Sequence, residues 1–345
     1  MNKNITKIWI SRTDKIGDML VSIPVFFRLH QMYPQAEITV LGNSYNLDLI
    51  KNLPYIHDTI AVDQINFENL VKRSKTENID IFIALFTNFN IACLAFLSRA
   101  KIRITNYSKF YSYFLFNKGL RQNRSKSIQH ETEYGLELLE ILDSKRYQET
   151  ENFWNNQIFL SPENIEIANE FYRLNGIENP IIIHIFNGGS AENLTEDHYI
   201  SFLYALRKKI NLPFLLIGQK NQEEKLNNFV KKCQISNIFI YTNEGSILNL
   251  AAIIEKAAVY IGTSTGPTHI ANSLKCKILA LYPCNLPQTS VKRWGLLGNK
   301  NVKYIFPDVK ESKNIDKRNS YFKHYDTEVE QEMVEGVLEL LTQKT

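Results

Sequence analysis

Cysteine is scarce in this sequence, and the spacing of its cysteines matches no known type of cysteine site. Four cysteines are spread over 345 residues, and none of their spacings indicates a disulfide framework or a zinc site. Such usage is typical of reduced thiols. The first residues, MNKNITK, lead directly into a strand pattern without the apolar core of a secretory signal. We therefore predict a cytoplasmic protein that binds no metal.

The sequence also lacks a long uninterrupted apolar run. Its most apolar stretch, residues 79–98, contains Asp80 and two asparagines. We interpret it as a buried strand at 81–86 followed by a helix at 91–97, rather than as a membrane span. Any contact with the inner membrane is therefore predicted to be peripheral.

Glycine is missing where a dinucleotide-binding fold needs it. A strand pattern at 7–11 is followed by the loop 12–18, and then by apolar residues at helical spacing from 19 to 32. The loop contains only Gly17, whereas the dinucleotide fingerprint requires three glycines. A nicotinamide-dependent dehydrogenase is thus disfavoured.

Acidic residues are absent from residues 81–130, where basic and aromatic residues alternate. These residues are Arg99, Lys101, Arg103, Lys109, Lys118, Arg121, Arg124 and Lys126, with Phe110, Tyr111, Tyr113, Phe114 and Phe116 among them. Such a window attracts phosphate-bearing partners, whether nucleic acid, anionic lipid or a phosphorylated glycan. The alternative is a solvated loop whose basic residues serve solubility. Because no nucleic-acid recognition motif accompanies the charge, we do not expect nucleic acid to be the partner.

What the sequence does contain is a repeated alternation of strand and helix patterns. Strands are predicted at 7–11, 38–41, 59–62 and 81–86, and again at 181–186, 214–218, 238–241, 259–261 and 277–282. Apolar strands that alternate with helices indicate an α/β fold with parallel sheets covered on both faces. We predict two Rossmann-like domains, residues 1–156 and 157–327, with the polar stretch 143–156 as their linker. A helix at 328–341 closes the chain.

The loops at the carboxyl ends of the predicted strands are the candidate binding elements. Ligands of open parallel sheets bind at these ends, so we expect the two domains to face each other across a cleft. The loop 12–18 of the first domain and the turns 188–190 and 263–269 of the second would line it. In the last of these, free backbone N–H groups at the start of a helix would suit a phosphate. The alternative is an ordinary capped turn.

Several of these positions together resemble a known family, the lipopolysaccharide heptosyltransferases of glycosyltransferase family nine. The residues that carry the resemblance are Ile16-Gly17-Asp18 with Pro24, Tyr33-Pro34, Ser264-Thr265-Gly266-Pro267-Thr268-His269-Ile270-Ala271, and Arg293-Trp294-Gly295. The resemblance covers nearly the whole chain and implies a GT-B fold whose last helix, here 328–341, packs back on the first domain. It also implies inverting, metal-independent sugar transfer without a cofactor. The donor would be a nucleotide diphosphate sugar carrying heptose or another hexose-like sugar. The acceptor would be an anionic glycolipid, a lipopolysaccharide core or a related surface glycan.

The resemblance implies roles for individual residues. The family's general base corresponds to Asp18, for which the alternatives are that Asp18 caps a helix beginning at Met19 or that Asp14 is the base. The predicted donor-binding residues are Gly188, Gly189, Ser190, Ser264, Thr265, Gly266, Pro267, Thr268 and His269. His269 has helix packing as its alternative role, and His184 and His198 are taken as structural or surface residues. The predicted acceptor-binding residues are Arg12, Lys15, Gly17 and Arg103.

The sequence departs from the family pattern at two places. The family usually has a lysine in a K-x-W-P-x-E pattern after the Gly-Ser turn, where this chain has Glu192-Asn193-Leu194-Thr195. Many heptosyltransferases also have aspartate where Ser264 stands. These changes leave open whether the donor is ADP-heptose or a different nucleotide sugar, and whether the activity is weakened. The alternative function is that of a catalytically silent relative that binds a nucleotide or glycolipid without transfer. We hypothesise that Lys292 or Arg293 supplies the missing positive charge.

Overall fold

The chain forms two compact α/β units, one of residues Met1–Phe159 and one of residues Leu160–Thr345. The structure is a computed structural model that describes residues 5–151, 154, 156–189, 191–284, 287–307, 321–322 and 325–343. Each unit contains one six-stranded sheet in which every strand pair is parallel. The predicted α/β architecture is therefore confirmed.

The first unit has its strands in the order β3-β2-β1-β4-β5-β6, the order of a Rossmann fold. The strands are β1 Lys7–Ser11, β2 Glu37–Gly42, β3 Asp58–Ala61, β4 Ile81–Ala84, β5 Ile102–Asn106 and β6 Lys118–Leu120. The helices are α1 Ile16–Val21, α2 Ile23–Met32, α3 Ser44–Leu47, α4 Phe67–Thr76, α5 Phe89–Leu97, α6 Ser112–Leu115, α7 Glu131–Leu142 and α8 Ser144–Gln148. Trp9 and Phe82, opposite each other on β1 and β4, pack in a buried cluster with Leu70 of α4 and Leu94 of α5. These side chains bury one face of the central strand β1 beneath α4 and α5.

The predicted helix at 19–32 is instead two helices that meet at Ser22. Pro24 has no backbone N–H to donate to the carbonyl of Leu20, so the hydrogen-bond ladder cannot continue through it. The first of these helices begins at Ile16, three residues before the predicted start at Met19. This earlier start places Asp18 inside the helix.

The predicted linker 143–156 is also partly structured. It contains α8, and Arg146 Nη1 in this helix donates to the carbonyl of Met32 at 2.9 Å. Arg28 of α2 donates to the carbonyl of Glu151. Because these contacts tie the stretch to α2, most of it belongs to the first unit, whose boundary lies at Phe159.

The second unit repeats the strand order, as β12-β11-β10-β7-β8-β9. The strands are β7 Ile181–Ile183, β8 Phe214–Gln219, β9 Ile238–Asn243, β10 Val259–Thr263, β11 Ile278–Leu281 and β12 Val302–Ile305. The helices are α9 Pro162–Asn175, α10 Glu196–Arg207, α11 Glu223–Cys233, α12 Ile247–Glu255, α13 Gly266–Ser273, α14 Val291–Trp294 and α15 Thr327–Thr342. Strands β7 and β10, which are buried along their whole length, form the centre of this sheet.

The closing helix α15 belongs to the second unit, and the packing back on the first unit that the resemblance implies stays a prediction. The helix lies against α10, β11 and β12 of the second unit. Met333, Val337 and Leu340 on its apolar face are buried in the core of that unit together with Leu279 and Leu281 of β11. Burying this face completes the second core, so α15 is an integral element of the second unit.

Candidate active site

A cluster of ionisable side chains lies in the loop that follows the central strand β1. Arg12 is almost fully buried, and its guanidinium forms ion pairs with Asp14 at 2.9 Å, Asp18 at 2.6 Å and Glu131 at 3.3 Å. Its backbone N–H donates to the carbonyl of Leu41 on β2, which fixes the loop to the sheet. Arg12 was predicted to contact the acceptor. Since its guanidinium is buried among three carboxylates, its position instead favours a role in holding Asp18.

Asp14 and Asp18 both pair with Arg12, and both carboxyl groups are partly accessible. Their side chains are 17% and 16% exposed, whereas those of Arg12 and Glu131 are 3% exposed. Burial and the neighbouring negative charge of Asp18 raise the pKa of Asp14 to about 7, against the attraction of Arg12. Their partial exposure leaves both carboxyl groups within reach of a ligand.

Asp18 does not cap a helix, so that alternative is wrong. The N-cap of α1 is Lys15, and Asp18 lies in the first turn. The side chain of Lys15 is exposed, and no side chain caps the helix. The first backbone N–H groups of α1, including that of Gly17, therefore donate no hydrogen bond to the N-cap side chain. Lys15 and Gly17 remain predicted acceptor contacts.

Glu131 and Arg124 belong to the cluster although sequence reasoning did not place them there. Glu131 is the first residue of α7, and it accepts from Arg124 Nη1 at 2.8 Å as well as from Arg12. Arg124 also donates from Nε to Gln122 Oε1 at 2.9 Å. The only sequence signal was that Glu131 is the first acidic residue after the acid-free window.

Arg103, another predicted acceptor contact, serves the structure of the first unit. Its guanidinium donates to the carbonyls of Ala100 at 2.7 Å and Leu115 at 3.1 Å, and it lies over the ring of Phe96. Ala100 and Leu115 precede β5 and β6, so these contacts lie near the amino ends of the strands. The ionisable cluster lies at their carboxyl ends. The geometry does not bring Arg103 to the cluster.

In the second unit, the turn between β10 and α13 is held by its own hydroxyl groups. Thr268 is fully buried and donates to the carbonyl of Thr263, and Thr265 is hydrogen-bonded to the same carbonyl at 3.4 Å. Ser264, Gly266 and Pro267 are half-buried. Because the side chain of the N-cap residue Thr265 forms no capping hydrogen bond, the accessible part of the turn is mainly backbone at a helix start, which is the arrangement that binds anions. The predicted donor contacts at 264–267 thus lie in one turn, whereas the Thr268 side chain supports it.

Two buried histidines, one after β7 and one in α13, lie close to this turn. His184, predicted to be structural or a surface residue, is buried at the end of β7, and its Nδ1 is 3.3 Å from the Thr265 hydroxyl. Burial lowers the pKa of His184 to about 4, so the ring is neutral at physiological pH. His269 is also buried, edge-on to the ring of Trp294 at 6.5 Å between centroids. Its burial agrees with the helix-packing alternative, and donor contact stays a prediction.

The glycine turn after β7 borders a cavity of about 240 Å³ in the second unit. Gly189 and Lys225 are among the residues that line it. Gly189 has a φ of +74°, which glycine adopts readily, and both Gly188 and Gly189 have open space where a side chain would project. Ser190 lies outside the described residues. The turn can therefore admit a ligand close to its backbone.

The residues that depart from the family pattern have identifiable contacts. Glu192, which is predicted to stand where the family has its lysine, accepts from the Thr289 hydroxyl at 3.2 Å. Ser264 is hydrogen-bonded to Tyr282. Arg293 lies over the ring of Trp294 in α14, and its hypothesised contact with the donor, like that of Lys292, stays a prediction.

No group of three or more His, Cys, Asp and Glu side chains is arranged to hold a metal ion in the described part of the chain. None of the helices among the described residues has both the length and the apolar character that a bilayer span requires.

Comparison with known proteins decides the family. The protein-family model described as "Glycosyltransferase family 9 (heptosyltransferase)" matches residues 68–326 of this chain. The chain belongs to glycosyltransferase family 9. It is 27% identical over 325 residues to a Haemophilus influenzae protein named for an inferred glycosyltransferase activity, covering 89% of this chain and 91% of the relative.

Solved structures show the same fold. A glycosyltransferase family 9 protein from Veillonella parvula superposes with a TM-score of 0.81 at 19% identity, covering 100% of this chain and 99% of that one. The ADP-heptose lipopolysaccharide heptosyltransferase II of Escherichia coli gives a TM-score of 0.78 at 17% identity, covering 97% and 98%. The predicted family, the GT-B type fold and the assignment as a glycosyltransferase are confirmed.

Proposed function

We propose that this family 9 glycosyltransferase transfers a sugar, with inversion and without a metal ion, from a nucleotide diphosphate sugar to an anionic glycolipid of the lipopolysaccharide type. The observation that carries the proposal is the Arg12–Asp14–Asp18–Glu131 cluster at the carboxyl end of the central strand of the first unit. Family membership and the names of the relatives support the donor and acceptor classes.

Asp18 is the proposed general base. Its carboxylate takes the proton of the acceptor hydroxyl while the hydroxyl oxygen attacks the anomeric carbon of the donor sugar. The bond from that carbon to the diphosphate breaks on the opposite face, so the configuration inverts. Arg12 holds Asp18 at 2.6 Å and, being buried, fixes the direction of the carboxylate. The raised pKa of Asp14 reduces the negative charge beside Asp18 near neutral pH.

The turn at the start of α13 is the proposed site of the leaving diphosphate. Backbone N–H groups at an uncapped helix start stabilise negative charge without needing to reorganise during the reaction. Thr265 and Thr268 hold the turn through the Thr263 carbonyl, and neutral His184 supports Thr265 without adding a charge. Gly188 and Gly189 would allow the sugar or the nucleotide to approach the backbone of the turn that follows β7.

A donor and acceptor panel tests the proposal. Thermal shifts with ADP-, UDP-, GDP- and CMP-sugars identify the donor, because a ligand that binds only the folded state raises its stability. Turnover with the matching donor and a lipopolysaccharide-core acceptor, in the presence of a chelator, is expected to yield a product of inverted configuration. A product with retained configuration, or turnover that the chelator abolishes, would overturn the mechanism.

A further inference from the structure

The first unit exposes aromatic rings where a soluble surface normally carries polar groups. Phe110 is 80% exposed and Phe114 is 65% exposed, the two largest exposures of any aromatic side chain among the described residues. Phe89 is 59% and Tyr113 is 51% exposed. Together with Tyr111 these residues are called the aromatic patch. Leaving several large rings in water is unfavourable, and contiguous exposed apolar surface commonly marks a binding site.

The aromatic patch is a defined structure rather than a set of isolated rings. Phe110 and Phe114 lie 5.0 Å apart between centroids, and Phe89 meets Tyr111 edge-on at 5.5 Å. Tyr113 stacks on Tyr107 at 4.7 Å. These contacts join the start of α5 to α6, so the rings are presented together.

The aromatic patch lies at the same edge of the sheet as the ionisable cluster. Phe89 follows β4 and the Phe110–Phe114 segment follows β5, just as the loop 12–18 follows β1. Ser11, Ala84 and Thr105 are paired across these three parallel strands, so their carboxyl ends share one edge. A surface that meets the rings would therefore lie on the side of Asp18.

The charge beside the aromatic patch identifies the kind of partner. Lys109 and Arg121 are exposed, and neither has an ion-pair partner in the part of the chain that the structure describes. No acidic residue lies between residues 81 and 130 to offset them. Aromatic rings with adjacent cations suit the headgroup region of an anionic bilayer, where rings occupy the interface and cations meet lipid phosphates. A second copy of the chain would instead bring like charges together.

We propose that the aromatic patch docks the first unit on the surface of an anionic membrane, with Phe110 and Phe114 inserted among the headgroups. Docking in this orientation would present the loop 12–18 to an acceptor anchored in the same membrane. The orientation toward an acceptor rests on the proposed function, whereas docking itself does not.

Vesicle binding by the full chain tests the docking. Co-sedimentation is measured with phosphatidylglycerol-containing vesicles and with pure phosphatidylcholine vesicles, without donor or acceptor. The double variant Phe110→Ala/Phe114→Ala is expected to bind anionic vesicles at least tenfold more weakly. Lys109→Gln should weaken binding about fivefold, and only to anionic vesicles. The control Leu174→Ala/Tyr204→Ala, which removes exposed apolar side chains of the second unit, should bind like the wild type.

The outcomes separate the docking from the proposed function. Equal binding by the wild type and the Phe110→Ala/Phe114→Ala variant, or no binding by the wild type, overturns the docking. If the wild type instead self-associates or binds RNA, does not bind vesicles, and loses that binding in the Phe110→Ala/Phe114→Ala variant, the docking is overturned in favour of another partner. If docking holds, the variant turns over a water-soluble acceptor fragment normally and a vesicle-embedded acceptor poorly. Vesicle binding without sugar transfer to any acceptor would leave the docking standing and refute the proposed function.

Discussion

Replacing Arg12 by methionine tests the physical basis of the ionisable cluster. Arg12→Met keeps much of the side-chain length but removes the charge that pairs with Asp14, Asp18 and Glu131. Glu131 keeps its contact with Arg124 at 2.8 Å, whereas the two aspartates lose their cation. The variant therefore leaves carboxylates in a largely dry environment without compensation.

The expected loss in the free energy of unfolding is about 3–5 kcal/mol, the range for removing one partner of a buried ion pair. The loss should depend on pH. Arg12 holds down the pKa of Asp14, so its removal raises the pKa of that group further in the folded state. A carboxyl group with a raised folded-state pKa stabilises the fold at low pH, and this stability is lost as the pH rises through that pKa. The difference from wild type should therefore be larger at pH 8 than at pH 5.

Urea unfolding at pH 5 and pH 8, followed by tryptophan fluorescence, measures both quantities. Arg103→Met is the matched control, because it removes an arginine of the same unit that donates to backbone carbonyls and orphans no carboxylate; its loss should be smaller and independent of pH. The double variant Arg12→Met/Glu131→Gln should lose less than the sum of the single variants, since the two residues share one network. A loss for Arg12→Met below about 1 kcal/mol, or strict additivity, would refute the reasoning.

Three further predictions address other parts of the molecule. The free energy of unfolding of wild type should fall as the pH rises from about 4 to about 7 because of the raised pKa of Asp14, and Asp14→Asn should abolish this fall. A pH–stability curve of the variant identical to that of the wild type in urea unfolding would contradict the raised pKa. Gly262→Ala should lower stability by about 1–3 kcal/mol and weaken donor binding in calorimetry, because its new methyl group would lie 2.9 Å from the Thr268 hydroxyl under the α13 turn; unchanged binding would disconnect the turn from the donor. Met333→Ala should destabilise the second unit by about 2–5 kcal/mol in hydrogen exchange, and exchange that changed only in the first unit would contradict the observed packing of α15.

Much of the fold follows from the alternation of apolar strands and helices. The most buried strands, such as Lys7–Ser11 and Ile278–Leu281, are continuous apolar runs or nearly so, and their pattern predicts them. The strands Ile102–Asn106, Lys118–Leu120 and Val302–Ile305 lie toward the sheet edges, where half-buried positions admit charged residues. Their patterns were therefore too weak to predict.

The position of α15 could not be read from its sequence. Its apolar face predicts that it packs on something, but an amphipathic pattern does not name its partner. The resemblance implied the first unit as that partner, which stays a prediction, whereas the structure shows that the apolar face completes the core around Leu279 and Leu281 of the second unit.

The candidate site was predictable only where its residues are local in sequence. The loop 12–18 and the turn 264–269 each follow a central strand, so their place at the carboxyl edges could be expected. Glu131 reaches Arg12 across 119 positions of the chain, and such pairing is a property of the tertiary fold. Likewise, whether Arg12 faces a ligand or three carboxylates depends on burial, which a charge pattern does not reveal.

The most direct test of the account is turnover by Asp18→Asn with the donor that the wild type accepts, beside Asp14→Asn as its control. If Asp18 is the general base, the Asp18→Asn variant keeps donor affinity and loses at least about 100-fold in kcat, while the Asp14→Asn variant loses much less. Asp18→Asn turnover within a few-fold of wild type, or a larger loss in Asp14→Asn, would contradict the assignment of the base.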